Sequence, residues 1–265
     1  MHYATLHYAQ TATPGSPGAA VLAEECALAI AYNGLNQAVM MVTPQDLEEF
    51  VVGFSLSGGL IERIDDLRDL RLHGSGNARH AEVQVSPRAF WVIKQQRRQL
   101  AGHSGCGLCG VEALQQALPQ LAPLQPVALP PDSHFHGLRE RIAEAQVLAR
   151  DSGALHAAAF VDGSGAIALC REDIGRHNAL DKLIGALALQ RRQARDGFAV
   201  VTSRCSLELI HKAVRAGIGT LVSLSAPTSL TVEWARRHNL NLIHLPHRSA
   251  PRVYSPAPAL PDHNG

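Results

Sequence analysis

The chain lacks several features that would place it in a membrane, in a secretory route or on nucleic acid. It has no run of about 18 apolar residues, so a membrane span is not expected. Its first residues, MHYATLHYAQTATPGSPG, show no basic segment followed by an apolar one, so a secretory leader is not expected either. Lys plus Arg total 24 against 23 for Asp plus Glu, and this balance provides no general attraction for nucleic acid.

The chain also lacks a disulfide pattern and the common nucleotide-binding motifs, which disfavours further classes of protein. The five cysteines are an odd number and do not suggest a disulfide framework, so we expect reduced thiols and a cytoplasmic protein. Neither GxxxxGK[ST] nor GxGxxG occurs, which disfavours an ordinary nucleotide hydrolase and a Rossmann dehydrogenase.

The most distinctive stretch is GHSGCGLCG, from Gly102 to Gly110, which carries Cys106 and Cys109 in a C-x-x-C pair. Glycines around the pair favour an open loop with accessible sulfurs over two cysteines without a role. Such thiols bind a metal, cycle as a dithiol and disulfide, or carry sulfur. A structural zinc needs four ligands, and His103, His134 and His136 are the nearest candidates. The spacing alone leaves all three chemistries open.

Element order predicts two α/β units. We expect a flexible tail over residues 1–20, an α+β domain over 21–118 that carries the C-x-x-C loop, a Pro-rich linker over 119–131, and an α/β domain over 132–265. A strand pair is predicted around Asn33-Gly34, followed by a helix that begins with Thr43 as its cap. Beyond the linker, a helix from about Asp132 to Arg150 precedes strands that alternate with helices, which predicts a three-layer α/β/α sandwich.

That order resembles the cytidine-deaminase-like fold, yet the zinc ligands of a deaminase are missing. Such enzymes place H-x-E at one helix start and P-C-x-x-C at the next. The corresponding stretches here are His177-Asn178-Ala179 and Ser203-Arg204-Cys205-Ser206, which lack the glutamate and one cysteine. The sequence therefore predicts the scaffold without a bound metal and without deaminase chemistry.

Three strand-to-helix corners replace the zinc site and suggest an anionic ligand. The first corner, REDIGRHNALDKLIG, is too rich in charge for a merely capped helix, and it supplies Arg176, His177, Asn178 and Lys182 as ligand-binding candidates. The other corners contain Ser203 and Ser225, each among further hydroxyl residues. Because ligands of open α/β sheets bind at the carboxyl ends of the strands, we expect the three corners to lie side by side and to bind a phosphate or pyrophosphate.

These motifs carry a family resemblance. SGCGLCG, REDIGRHNALDKLIG, SRCSLELIHKAVRAG, SAPTSLTVEWA and MVTPQDLEEFVVGF together span about residues 24 to 245, and with them the chain resembles the FdhD/NarQ family of sulfur carriers required for formate dehydrogenase activity. The resemblance implies that a cysteine desulfurase donates persulfide sulfur to the chain. The chain then transfers that sulfur to the molybdenum bis-guanine-dinucleotide cofactor, the bound substrate, which serves formate dehydrogenase.

The resemblance also assigns residues. It makes Cys106 the persulfide carrier and Cys109 an assisting thiol. It places the cofactor-binding segment on six consecutive residues: Leu245, Pro246, His247, Arg248, Ser249 and Ala250. Here Leu245 to His247 depart from the aromatic residue that the family usually shows before an arginine, and Gly58 and Gly105 are two further departures.

Three matters stay open at this point. A thioredoxin-like redox protein remains an alternative, although KQQRRQL before the motif is a poor strand. A zinc-stabilised binding module is the other alternative. The sequence does not decide whether the chain forms a homodimer.

Overall fold

The computed structural model describes residues 2–6, 17–102 and 121–256. Its first feature is an antiparallel pair formed by β1 (His2–Leu6) and β2 (Pro17–Val21). The segment expected to be a flexible tail therefore contains two paired strands. These strands contain short polar and small residues, and their sequence shows no pattern from which the strand pair could be predicted.

A four-stranded sheet follows, in the order β4-β3-β6-β5. Its strands are β3 (Cys26–Tyr32), β4 (Leu35–Val42), β5 (Leu67–Ser75) and β6 (Ala78–Val85). Alternate residues of β3 point into a core beneath α1 (Leu47–Ser57) and α2 (Pro87–Gly102). A 3-10 turn, Ile64–Asp66, connects α1 to β5. The apolar run of β3 before the turn at Asn33-Gly34 is the signal from which this strand was predicted.

Helix α1 begins later than its cap signal predicted. Asp46, in a left-handed conformation, precedes the first helical residue, and no side chain in the described ranges caps it. Thr43 has another task, because its hydroxyl accepts from the backbone N of Ile174 at 3.0 Å. The predicted cap is therefore wrong, and the residue instead joins the two halves of the chain.

The second sheet has six strands in the order β12-β11-β10-β9-β7-β8. They are β7 (His156–Asp162), β8 (Ile167–Asp173), β9 (Gly197–Val201), β10 (Thr220–Ser223), β11 (Asn241–His244) and β12 (Arg252–Ser255). Its helices are α3 (Leu138–Ala145), α4 (Ala149–Ser152), α5 (Arg176–Leu189), α6 (Leu207–Arg215) and α7 (Ser229–Arg237). Two 3-10 turns are Asp132–Phe135 and Ala194–Asp196.

Two details differ from the expected pattern. The single helix expected from Asp132 to Arg150 is broken, since Gly137 has a φ of 59° and separates the 3-10 turn from α3. The stretch after Pro246 showed no periodicity, yet it contains β12, which pairs antiparallel with β11.

Helices cover both faces of this sheet. Helices α5, α6 and α7 bury one face in a core that includes Leu180, Leu209 and Ala235. Helix α3 and the preceding 3-10 turn bury the other face through Leu138, Ile142 and Phe135. The mixed α/β class and the layering agree with the prediction, while the specific deaminase-like description stays a prediction.

Gly53 and Gly185 allow the backbones of helices α1 and α5 to come into contact, and this contact joins the two sheets. A Cβ at Gly53 would lie 1.7 Å from the carbonyl oxygen of Asp181, and one at Gly185 would lie 1.8 Å from that of Glu49. Neither position tolerates a side chain without movement of the backbone. This crossing fixes how the first sheet sits against α5.

The described end of the expected linker, residues 121–131, packs on the second sheet. Leu121 and Leu124 contact its core, and Asn239 and Asn241 donate to the backbone oxygens of Leu124 and Val127. The boundaries of the predicted domains stay predictions. Within the described ranges, each helix is too short or too polar to cross a membrane.

Candidate functional site

Four strands of the second sheet end at one edge, which we call the carboxyl edge. Strands β9, β10 and β11 are parallel, and β8 has the same direction because β7, between β8 and β9, is antiparallel to both. The corners of Ser203 and Ser225 are therefore neighbours, as expected. The corner of Arg176 is separated from them by β7, so His156 at the start of β7 also lies at this edge.

The starts of α5 and α6 nevertheless meet through a side chain. His177 Nε2 lies 3.1 Å from Ser206 Oγ and 3.2 Å from Glu208 Oε2. Burial lowers the pKa of His177, an effect that Glu208 opposes and Arg176 reinforces. No side chain of the described residues caps either helix at its first position. Two helix starts thus present backbone N–H groups, which suits an anion.

Arg176 adds positive charge to the same corner. Its Nε is buried, and no hydrogen-bond partner exists for it among the described residues. Its charge acts on His156, whose pKa is lowered first by burial and then by Arg176. This part of the corner has the charge and the unused donor that an anionic ligand requires.

The two serine corners are linked, but they offer fewer free donors than predicted. Ser223 Oγ lies 3.1 Å from the carbonyl oxygen of Ser203 and 2.8 Å from that of Ser225. Helix α7, which follows Ser225, starts with a capping box in which Thr228 and Thr231 bond reciprocally. Its first N–H groups are therefore partly occupied within the chain.

Lys182 does not face the edge, in contrast to the prediction. Its side chain is fully buried and donates to Asp173 Oδ2 at 2.8 Å and to the carbonyl oxygens of Thr43 and Glu172, both at 3.0 Å. An ammonium group has three N–H donors, so none is left for a ligand. The structure makes Lys182 a clamp between the two halves of the chain.

Asn178 belongs to the same clamp. Its amide nitrogen donates to Asp173 Oδ1 and to the carbonyl oxygen of Met41, both at 2.9 Å. Asp173 also accepts from the backbone N of Thr43 and of Gly175. The carboxylate is thus saturated by the chain, and both amide N–H groups of Asn178 are used within the fold.

The remaining charges of the motif also have structural partners. Glu172 accepts from the backbone N of Leu148 and Ala149, and Arg171 forms a two-pronged ion pair with Glu49. Helical spacing was the signal that could have separated the roles. Asn178, Asp181, Lys182 and Gly185 follow the i, i+3, i+4, i+7 pattern of one helix face, and that face packs on α1.

The predicted C-terminal segment begins at the carboxyl edge and then becomes exposed. Leu245 is buried, Pro246 is partly buried, and His247, Arg248, Ser249 and Ala250 are exposed. The guanidinium of Arg139 donates to the carbonyl oxygens of Leu224 and Leu245. Arg139 and His247 line a pocket of about 320 Å³ with Thr202 and Gln146. The sequence analysis missed Arg139, because one arginine in a charged helix has no distinguishing pattern.

Cys106 and Cys109 lie outside the described residues; helix α2 ends at Gly102, four positions before Cys106. Cys26, Cys170 and Cys205 are free thiols. Burial raises the pKa of Cys26, that of Cys170 to about 11 and that of Cys205 to about 12. In the part of the chain that the structure describes, no three His, Cys, Asp or Glu side chains are grouped so that they could hold a metal ion.

Comparison with known proteins settles the family. The model of the FdhD/NarQ family matches residues 23–260. The chain belongs to this family. It is 47% identical over 230 residues to the sulfur carrier protein FdhD of Burkholderia mallei, covering 83% of each chain. It is 41% identical over 235 residues to that of Bordetella petrii, covering 88% of this chain and 84% of the relative.

A solved structure shares the fold of this family member. The crystal structure of a putative formate dehydrogenase accessory protein from Desulfotalea psychrophila matches with a TM-score of 0.74. The match covers 96% of each chain at 22% sequence identity. At that identity the likeness concerns the fold alone.

Proposed function

We propose that the chain is a persulfide sulfurtransferase. Cys106 takes sulfur from a cysteine desulfurase and transfers it to the molybdenum bis-guanine-dinucleotide cofactor, the substrate, on behalf of formate dehydrogenase. Family membership supports the sulfur-carrier role, since the relatives bear that name. The observation that carries the proposal is the pair of uncapped helix starts beside Arg176 and His177, a site suited to pyrophosphate, in a chain that also has the C-x-x-C pair.

Loading needs no oxidant. The thiolate of Cys106 attacks the outer sulfur of the donor persulfide, so a new S–S bond forms at Cys106 and the donor leaves as a thiolate. Cys109 then has two options. Its thiolate takes the outer sulfur in a relay, or it attacks the inner sulfur, forming a disulfide with Cys106 and releasing hydrosulfide.

The carboxyl edge would hold the guanine-dinucleotide substrate through its phosphates. The proposed ligands are the N–H groups at the starts of α5 and α6, with Arg176, His177, Ser203 and Ser225. Residues 245–250, with His247 and Arg248, would extend the site. In this proposal the protein acts in the cytoplasm, where its thiols stay reduced, and holds no metal of its own.

One feature of the fold weighs against a thioredoxin-like redox protein. Such a protein has a strand directly before its C-x-x-C motif, whereas here helix α2 extends to Gly102. The sequence before the motif already made a strand unfavourable.

A host that lacks this chain but expresses formate dehydrogenase tests the proposal. The unmodified chain is expected to restore formate dehydrogenase activity, and Cys106→Ala to abolish it, because the transferred sulfur then has no carrier. Cys170→Ala is the matched control, since that thiol is partly buried and has a raised pKa. Restoration of activity by Cys106→Ala would contradict the proposal.

A further inference from the structure

Helix α2 carries a large apolar side chain on its solvent side. Trp91 is 59% exposed, which is unusual for a residue of this size in the described part of the chain. Arg88, three positions earlier, and Gln95, four positions later, lie on the same side of the helix as Trp91. Exposed tryptophan and arginine are the residues that most often dominate the binding energy of protein interfaces.

A groove borders this side of α2. It has a volume of about 630 Å³ and lies between α2, the end of α1 and the ends of α5 and α6. Arg88, Val92 and Gln96 of α2 form one wall, and Leu60 and Leu187 belong to its apolar lining. Arg88 lies on the same side of α2 as Trp91 and also lines the groove, so Trp91 and the groove adjoin, and we call the two together the α2 surface.

The α2 surface has an excess of positive charge. Lys94 on α2 and Arg88, Arg192 and Arg215 in the groove are cationic, against Glu62 and Asp66. Both carboxylates are already occupied: Glu62 pairs with Arg88 at 2.6 Å, and Asp66 accepts from Ser86 at 2.9 Å. Helix α2 itself has no acidic residue between Pro87 and Gly102. An acidic protein surface with an apolar side chain complements these features.

Arg215 contributes one of the positive charges of the groove. Its Nη1 lies where a Cβ at Gly59 would come within 2.2 Å, so a side chain at Gly59 would displace the flexible end of Arg215. Across the described ranges, no hydrogen bond or ion pair occupies Arg215. Its charge is available to a partner.

The α2 surface and the carboxyl edge lie near opposite ends of α5. The groove contacts α5 at Ile184, Leu187 and Ala188, and the edge lies at its first residue, Arg176, so the rise of the helix places them about 12–18 Å apart. A partner on the α2 surface therefore leaves the proposed cofactor site free. Helix α2 also leads directly along the chain to Cys106.

We propose that the α2 surface is the docking site of the protein that donates sulfur, and that this donor presents acidic groups and one apolar side chain to Trp91 and the groove. The proposal rests on the sulfurtransferase function argued above. It assigns the donor to the α2 surface and leaves the carboxyl edge to the acceptor side of the reaction.

The test compares two sulfur donors on the full-length protein. Persulfide loading of Cys106 is measured by mass spectrometry against the concentration of a cysteine desulfurase supplied with cysteine, and separately with a small-molecule persulfide. Trp91→Ala is expected to raise the desulfurase concentration for half-maximal loading by about tenfold or more. Loading from the small persulfide should not change, since that donor needs no docking surface. Val253→Ala, which truncates an apolar residue 43% exposed on β12, should behave as the unmodified chain with both donors.

Each other outcome contradicts the docking site. Equal loading of Trp91→Ala and the unmodified chain by the desulfurase would show that the surface is not used by the donor. A loss with both donors would show that Trp91 acts on Cys106 or on the fold. Normal loading followed by impaired transfer to formate dehydrogenase would assign the surface to the acceptor. Failure of both donors to load the unmodified chain would refute the sulfurtransferase function itself, a result distinct from these.

Discussion

Lys182 Nζ lies 2.8 Å from Asp173 Oδ2, and both side chains are inaccessible to solvent. The pair holds strand β8 and helix α5 against the segment that follows β4, because Lys182 also donates to Thr43. Asp173 and Lys182, 130 and 139 positions away from Thr43, thus fix the segment between β4 and α1. Lys182, which the sequence suggested as a ligand contact, thus helps to join the two sheets.

This clamp predicts a large effect on stability. Lys182→Met leaves the Asp173 carboxylate buried without its counter-charge, and such losses typically cost about 3–5 kcal/mol. The free energy of unfolding, measured in urea, is expected to fall by that amount. Lys94→Met is the matched control, since Lys94 is exposed with Nζ 4.7 Å from the Phe90 ring, and it should cost at most about 1 kcal/mol. A similar small loss in both variants would show that the clamp contributes little.

Four histidines with lowered pKa values are expected to make the stability of the folded chain depend on pH. Burial lowers the pKa of His156, His177, His211 and His244. The unfolded chain therefore binds protons more readily than the folded one. The contribution of these groups is complete above the ordinary pKa of about 6.5 and is lost as the pH falls through their lowered folded values. The thermal midpoint should decrease between pH 7.5 and pH 5.5.

A substitution of His211 tests whether the histidines cause this dependence of stability on pH. Its Nε2 is buried without a partner among the described residues, and its ring lies 4.6 Å from that of Trp234. Besides burial, His238 and Arg215 lower its pKa while Glu208 raises it. His211→Phe keeps a ring beside Trp234 and removes the titration, so its thermal midpoint should change less over the same pH range. An unchanged pH dependence would exclude His211 as a contributor.

The described cysteines are expected to be unreactive. At pH 7.5 the raised pKa values keep Cys170 and Cys205 as thiols, and Cys26 and Cys205 are also almost fully buried. Because the thiolate is the nucleophile, brief alkylation of the folded protein should modify Cys106 and Cys109 first. Peptide mapping after iodoacetamide treatment measures this order. Faster modification of Cys205 than of Cys106 would mean that the predicted open loop is not open.

The carboxyl edge is expected to bind a guanine nucleotide without hydrolysing it. Arg176→Ala should weaken the binding of GDP, measured by calorimetry, by about tenfold, because a charge-assisted hydrogen bond is lost. Loading of Cys106 with sulfur should be unaffected. Arg68→Ala, at an exposed position of β5, is the control for overall charge. Equal affinity in the Arg176 variant and the unmodified chain would show that the edge consists only of helix starts.

Sequence patterns predicted the elements that local periodicity specifies. Strand β3 was predicted because an apolar run from Cys26 to Tyr32 precedes the turn-favouring pair Asn33-Gly34. The contacts of Lys182 and Asn178 within the fold were not predicted, because their partners, Thr43 and Met41, lie more than 130 positions away. Strand β12 was missed because it has only four residues and depends on pairing with β11.

The candidate site was predictable to the same extent. The corners of Arg176, His177, Ser203 and Ser225 were placed at one edge from the order of the strands, and the fold has them there. The position of β7 between the Arg176 corner and the two serine corners was not predicted, because the sequence does not reveal which strands pair with one another. The role of Arg139 could be recognised only in the structure, because it depends on two carbonyl oxygens at the ends of β10 and β11.

The most direct test of the central claim is mass spectrometry of the protein after incubation with a cysteine desulfurase and cysteine. We predict that the peptide containing Cys106 gains one sulfur atom, that Cys106→Ala gains none, and that Cys109→Ala is still loaded. Sulfur on Cys26, Cys170 or Cys205 in place of Cys106, or loading that depends on Cys109 and persists without Cys106, would contradict the account.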